Sequence, residues 1–182
     1  MTPAPEYFDD IHIHRRTGAR MLTSIGPDDE ITTALGEAWY SVGIHPWDTA
    51  EAPDELTWNR LEALAADPRV AAIGECGLDA LRGGDAELQE KIFLRQAELA
   101  ERTGKFMVIH CVRRYGRLME LRKAFKPRQR WIIHGFRGKP ELARQLIAAG
   151  FELSLRRGTG EALRSALSGC HFFSETDEPP EE

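Results

Sequence analysis

Eight short β-rich runs recur along the chain, at residues 7–14, 20–25, 39–44, 70–75, 106–110, 130–134, 151–155 and 172–175, with amphipathic stretches between most of them. Short apolar strands separated by helical segments are the pattern of a parallel sheet covered by helices, because a parallel connection has to cross back over the sheet. Segment 54–67 places Leu56, Leu61 and Leu64 near helical spacing, and 85–104 lines Leu88, Ile92, Phe93, Gln96, Leu99 and Ala100 along one stripe ahead of Gly104. Residues 115–125, 140–149 and 161–167 are further helical candidates, Pro140 suiting a first turn and Gly150 a C-terminal cap.

Eight strands with intervening helices predict an α/β chain folded as a (β/α)8 TIM barrel, one domain over residues 1–182 with 178–182 as a flexible acidic tail. The outer ring of helices is expected to be incomplete. Only HRRTGA separates the first two strands, and only DEPPEE follows Thr176. Such a shortened barrel leaves apolar strand surface that a partner, such as the second subunit of a homodimer, would cover, unless the chain is a trimmed form of something longer.

A hydrophobic share of 42% and a charged share of 29% in 182 residues fit a soluble globular protein. No apolar run approaches the ~20 residues of a membrane span, and the start MTPAPEYFDD lacks the pattern of a secretory signal, so no membrane partner and a cytoplasmic location are expected. Cys76, Cys111 and Cys170 are odd in number and lack CxxC spacing, which argues against a disulfide framework or a cysteine zinc site.

The ends of the strands carry the chemistry. Residues two apart in a strand share a face, so Asp10, His12 and His14 of DIHIH can point together into the barrel mouth. Glu75 closes VAAIGE, His110 closes FMVIH, His134 closes WIIH, and Asp177 follows FFSET. An ionisable group at the end of an apolar strand is costly unless paired, hydrogen-bonded or metal-bound. Because barrel sites form at the C-terminal strand ends, His12, His14, Glu75, His110, His134 and Asp177 are expected to converge on one divalent-metal centre. His45 of SVGIHPWD is a candidate substrate or outer group, and Asp79 either orients a ligand or caps a turn. Cys76 and Cys111 alternate away from their neighbours' face and are expected to pack.

Arg15 and Arg16, Arg113 and Arg114, Arg137 and Lys139, and Arg156 and Arg157 follow four of these strands, on a chain of net charge -5. Such a basic rim fits an anionic substrate, with arginine forks matching phosphate oxygens, although solvated loop charges would look the same in sequence. Trp47, Tyr115 and Phe136 could stack on bases or simply pack.

In order along the chain, DIHIH, GIHPWD, AIGECGLD, QEKIFLRQAELA, VIHC, IIHGFRGKPELA and ETD resemble the TatD family of metal-dependent hydrolases, often described as TatD-type deoxyribonucleases. The resemblance implies a barrel of the metallo-dependent hydrolase type holding one or two divalent ions (Mg, Mn or Zn). It makes His12, His14, Glu75 and Asp177 ligands of one metal, and Glu75, His110 and His134 ligands of the second. It also implies hydrolysis of ester bonds, chiefly phosphodiester bonds of DNA, with Asp177 and Glu75 catalytic and His45, Arg113 and Arg137 holding substrate. A hydrolase of another phosphorylated or anionic substrate on the same scaffold, and a catalytically weak metal-binding or interaction protein, are the alternatives.

Overall fold

A computed structural model of the chain describes residues 2–14, 17–31, 38–158 and 161–177; Arg15, Arg16 and the acidic tail lie outside the described residues. Eight strands pair in sequence order, all parallel: β1 (Asp10–Ile13), β2 (Met21–Ile25), β3 (Trp39–Val42), β4 (Val70–Asp79), β5 (Phe106–Val112), β6 (Trp131–Ile133), β7 (Glu152–Arg156) and β8 (Phe173–Glu175). Among the described residues, helices follow the five strands β3 to β7: α1 (Glu55–Ala66), α2 (Ala86–Thr103), α3 (Tyr115–Phe125), α4 (Pro140–Ala148) and α5 (Glu161–Ala166). Strand order equal to chain order is what repeated right-handed crossovers produce as a sheet rolls toward closure. No helix among the described residues is long and apolar enough to cross a membrane.

The helices begin and end where local chemistry dictates. Asp54 and Asp85 accept the Thr57 and Leu88 amide N–H groups at the starts of α1 and α2, and Gly104, at φ 67°, ends α2 in the left-handed conformation that suits glycine. The strands depart from the expected bounds most at β1 and β4, and by one or two residues elsewhere, β5 running past His110 to Val112. Residues Pro5–Tyr7 form a 3-10 turn, so β1 starts only at Asp10. Glu75 does not end its strand, because β4 continues to Asp79 and pairs Gly77 with His110 and Asp79 with Val112. Gly77 makes that extension fit: a Cβ there would overlap the His110 carbonyl.

Alternation then sorts the side chains. In β5, Met107, Ile109 and Cys111 join the apolar layer under the helices, whereas Phe106 and Val108 join a separate apolar cluster with Phe8, Leu22, Ile132 and Phe173. Trp131 anchors the outer layer, its ring 5.1 Å from Phe93 and 6.0 Å from Phe151. Cys76 and Cys111 are buried in this layer, and burial raises both thiols, Cys111 to about 12, so they pack as neutral groups, as expected.

The seam between β8 and β1 is bridged by side chain and loop. The Asp10 carboxylate, 1% exposed, accepts the Thr176 backbone N–H at 3.1 Å and the Thr176 hydroxyl at 2.7 Å. One residue on, the Asp177 N–H donates to the His12 carbonyl at 3.2 Å. Asp10 therefore does not join His12 and His14 in the mouth. It holds the seam beneath them.

Removing that carboxylate would take the acceptor from both Thr176 donors and from the His12 backbone N–H, which reaches Oδ1 at 3.4 Å. Asp10→Ala is expected to lower unfolding free energy by about 2–3 kcal/mol, read by urea denaturation, with Asp10→Asn costing less because one acceptor oxygen remains.

Candidate metal centre

Glu75 is the middle of the mouth. Its side chain is 5% exposed, and its two oxygens face different partners. Oε1 lies 2.7 Å from His134 Nε2, 2.8 Å from His110 Nδ1 and 2.9 Å from His45 Nε2. Oε2 lies 3.1 Å from His12 Nε2 and 3.7 Å from His14 Nε2. Five imidazoles, His12 of β1, His110 of β5 and His14, His45 and His134 from just past β1, β3 and β6, thus meet one carboxylate. The Glu75 backbone N–H is held in turn by the Ser24 hydroxyl of β2 at 3.3 Å.

On the Oε2 side, His12 Nε2 and His14 Nε2 are 3.1 Å apart, and each is 3.9 Å from Asp177 Oδ1. Ligand atoms bound to one ion at about 2.0–2.2 Å stand roughly 3–3.5 Å from each other, so the two nitrogens already sit at the spacing of neighbouring ligands. Groups of three donor atoms within 4.8 Å of one another recur around the mouth: His12, His14 and Asp177; His12, Glu75 and His134; His45, Glu75 and His110. Imidazole nitrogens with carboxylate oxygens are a borderline donor set suited to divalent transition ions. The residues present fit such ions.

The electrostatics agree. Burial alone would raise Glu75 and lower His134, but their mutual attraction outweighs it, holding Glu75 well below and His134 well above their usual ranges. Burial and the neighbouring His12 lower His14. Asp177 stands at φ 45°, a left-handed conformation that aspartate tolerates better than most residues. Its carbonyl accepts Arg156 Nη2–H at 2.7 Å, and its Oδ2 lies 3.8 Å from Arg137 Nη2.

All six expected ligands therefore come together, and His45 joins them at contact distance with Glu75. Apart from His12, which is fully buried behind them, these groups line a cavity of about 460 Å³ together with Trp47, Arg137 and Arg156. Among the described residues, the basic rim beyond Arg137 and Arg156 is dispersed. Arg113, at φ 54°, is exposed and outside the cavity lining; Arg114 pairs with Glu90 at 3.2 Å; Arg157 donates to the Asp9 carbonyl at 2.6 Å, in a different groove. Phe136 is a core ring, 3% exposed, and the half-buried Tyr115 packs edge-on against it.

Two carboxylates behind the histidines complete the arrangement. Asp79 Oδ2 lies 3.0 Å from His110 Nε2 and accepts the Trp47 indole N–H at 2.7 Å, while Oδ1 accepts the Leu81 and Arg82 amides. Asp79 thus caps the turn that follows β4 and also faces His110. Glu175, with no exposure, accepts the Ser154 hydroxyl and turns Oε1 toward His134 Nδ1 at 3.8 Å, two buried atoms that otherwise lack partners. The sequence reading passed over Glu175. Its signal was the spacing of ETD, which puts Glu175 on the inward face of β8. Gly135 keeps that approach open, since a Cβ there would stand 3.3 Å from Glu175 Oε1.

Residues 28–180 match the family model described as TatD related DNase. A protein of Cronobacter turicensis named 3'-5' ssDNA/RNA exonuclease TatD is 33% identical over 151 residues, 78% of this chain and 57% of that protein. The protein of the same name from Erwinia billingiae is 31% identical over 90% of this chain and 66% of its own length. The chain thus spans about three-fifths of the length of these relatives. Among solved structures, YjjV, a TatD homologue of Escherichia coli K12, aligns with TM-score 0.59 at 25% identity over 71% of this chain and 53% of its own. A TatD family hydrolase of Entamoeba histolytica shares the fold, with TM-score 0.64 at 22% identity over 75% and 50% of the two chains.

Two outcomes follow for metal uptake. Because the buried Glu75 and Glu175 beside it raise the hold of His134 on its proton, and ligation needs its lone pair, loading is expected to release protons, counted by calorimetry in buffers of different ionisation enthalpy. Affinity should fall as pH drops. Glu175→Gln, which weakens the group oriented on His134, is expected to lower divalent-ion affinity about 10–100-fold in the same titration.

Proposed function

The chain belongs to the TatD-related DNase family, and from that premise we propose that it is a divalent-metal-dependent hydrolase of phosphodiester bonds in single-stranded nucleic acid. The observation that carries this reading is the two-sided use of Glu75, whose separate oxygens meet separate imidazole groups in a cavity that Asp177, Arg137 and Arg156 also line. Glu75 would bridge the two positions. His12, His14 and Asp177 would complete one of them, His110 and His134 the other, with His45 close enough to share it. A shell this rich in imidazole favours manganese or zinc over magnesium, which prefers oxygen ligands.

Divalent ions held there lower the pKa of water and neutralise charge on a phosphoryl group. The protein's own residues do the rest. Asp177, fixed through its backbone N–H and carbonyl, presents its carboxylate to the cavity and accepts the proton of the attacking water. Arg137, 67% exposed beside Asp177, reaches a phosphate oxygen and orients the phosphodiester for in-line attack. The new P–O bond forms from the water oxygen as the ester P–O bond opposite breaks, and the leaving sugar oxygen takes up a proton. A cytoplasmic site is proposed on the strength of its three free cysteines, Cys76 and Cys111 among them buried as thiols.

Metal content and release of nucleotides from single-stranded DNA and RNA, with Mn²⁺, Zn²⁺ or Mg²⁺ added, test the reading. Asp177→Asn is expected to lower kcat about 10²–10⁴-fold, and Glu75→Gln to abolish tight metal retention. Arg137→Ala is expected to act mainly on KM. An unmutated protein that takes up no divalent ion, or that loads with metal and releases no product, ends the proposal.

A further inference from the structure

Among the described residues, Trp47 is the only aromatic ring of the mouth left widely exposed, at 44%. Its place is not incidental. The ring stands edge-on to His45 at 4.8 Å and to His110 at 5.8 Å, directly beside two imidazoles of the metal centre. Its indole N–H is anchored at 2.7 Å on Asp79 Oδ2, the oxygen that also faces His110. An exposed indole held by a buried carboxylate is already ordered, so a flat ligand laid on it costs little further side-chain entropy.

We propose that Trp47 is a stacking shelf for a nucleobase, so that the site recognises an unpaired nucleotide and not a bare sugar–phosphate link. The inference rests on the hydrolase reading above and goes beyond it by naming what holds the base. Within a duplex both faces of a base are already stacked on neighbours, so only an unpaired or frayed base can use the shelf. A cavity of about 460 Å³ is also of the size that takes a small ligand.

The guanidinium of Arg82 lies 4.3 Å from the Trp47 ring centroid and is the obvious competitor. Arg82 is an exposed loop side chain, and its hold on the ring is the weaker of the two, since exposed cation–π contacts are generally weaker than the stacking of a nucleobase on an aromatic ring. A base therefore displaces it or is clasped between the two. Leu81, 61% exposed and tied through its N–H to the same Asp79, adds a second apolar group on this loop. Tyr115 and Phe136 offer no alternative, because they pack on each other and neither lines the cavity.

The test compares equilibrium binding of two labelled strands to the metal-loaded protein by fluorescence anisotropy. One is a four-residue oligothymidylate and the other an abasic strand of the same length, both with phosphorothioate links to keep them intact. The unmutated protein is expected to bind the base-bearing strand at least about fivefold more tightly, the lower end of stacking on one aromatic ring. In Trp47→Ala the ratio should fall close to one. In Trp47→Phe, which keeps a face and loses the N–H to Asp79, most of the ratio should remain. Equal binding of the two strands by the unmutated protein, binding of neither, an unchanged ratio in Trp47→Ala, or equal losses in Ala and Phe would each overturn the shelf. Hydrolysis of an ordinary phosphodiester strand is scored separately. Its absence sinks the hydrolase reading while the binding ratio still decides the role of Trp47.

Discussion

Glu75 places an ionised carboxylate where almost no water reaches, and a buried charge of this kind persists only when its surroundings answer both oxygens. Here the answer comes from imidazoles on four different stretches of chain. Each reaches Glu75 only if its strand keeps register, because a slip of one residue turns the side chain to the other face of the barrel. The centre and the strand order therefore constrain each other. A misregistered β5 would remove His110 from Oε1 and put Cys111 there instead, leaving the carboxylate short of a partner and a thiol in a polar mouth.

Helix α2 extends this control to the loops. Gln96, within the apolar stripe, accepts the Ile44 N–H at 2.8 Å and donates to the Ile44 carbonyl at 3.1 Å, which fixes the backbone just before His45. Gln89 treats Asp79 in the same way, accepting its N–H at 2.8 Å and donating to its carbonyl at 3.1 Å. Two buried amides on one helix thereby set the positions of His45 and Asp79, and through Asp79 those of His110 and Trp47. A buried glutamine with all its hydrogen bonds met is a precise spacer, and its cost is felt only when a partner is missing.

The sequence made the strand count, the parallel order and the meeting of the six expected donor residues in one mouth legible, because a short apolar run with an ionisable residue at or near its end is a local signal that needs no distant neighbour to be read. Residues whose meaning depends on a neighbour far along the chain were harder. Asp10 reads like a mouth residue from its spacing to His12, and only the approach of Thr176 shows that it works on the seam. Glu175 looks like a strand-end carboxylate until His134 is seen facing it. Rim arginines cannot be sorted by sequence at all, since Arg114 and Arg157 are turned aside by Glu90 and by the Asp9 carbonyl, contacts set by tertiary packing.

The seam also shows why closure of the barrel and the chemistry of its mouth are one problem. Asp177 belongs to no strand, yet its N–H is held by the His12 carbonyl, its carbonyl by Arg156, and the residue before it by Asp10. Two of those three anchors are in β1, the strand that carries His12. A shift of β1 relative to β8 would move Asp177 and His12 together and so preserve their spacing, but it would carry both away from Glu75 on β4. The carboxylate that meets all five imidazoles of the mouth is therefore the fixed point, and the seam is the joint that must close before Asp177 can face it.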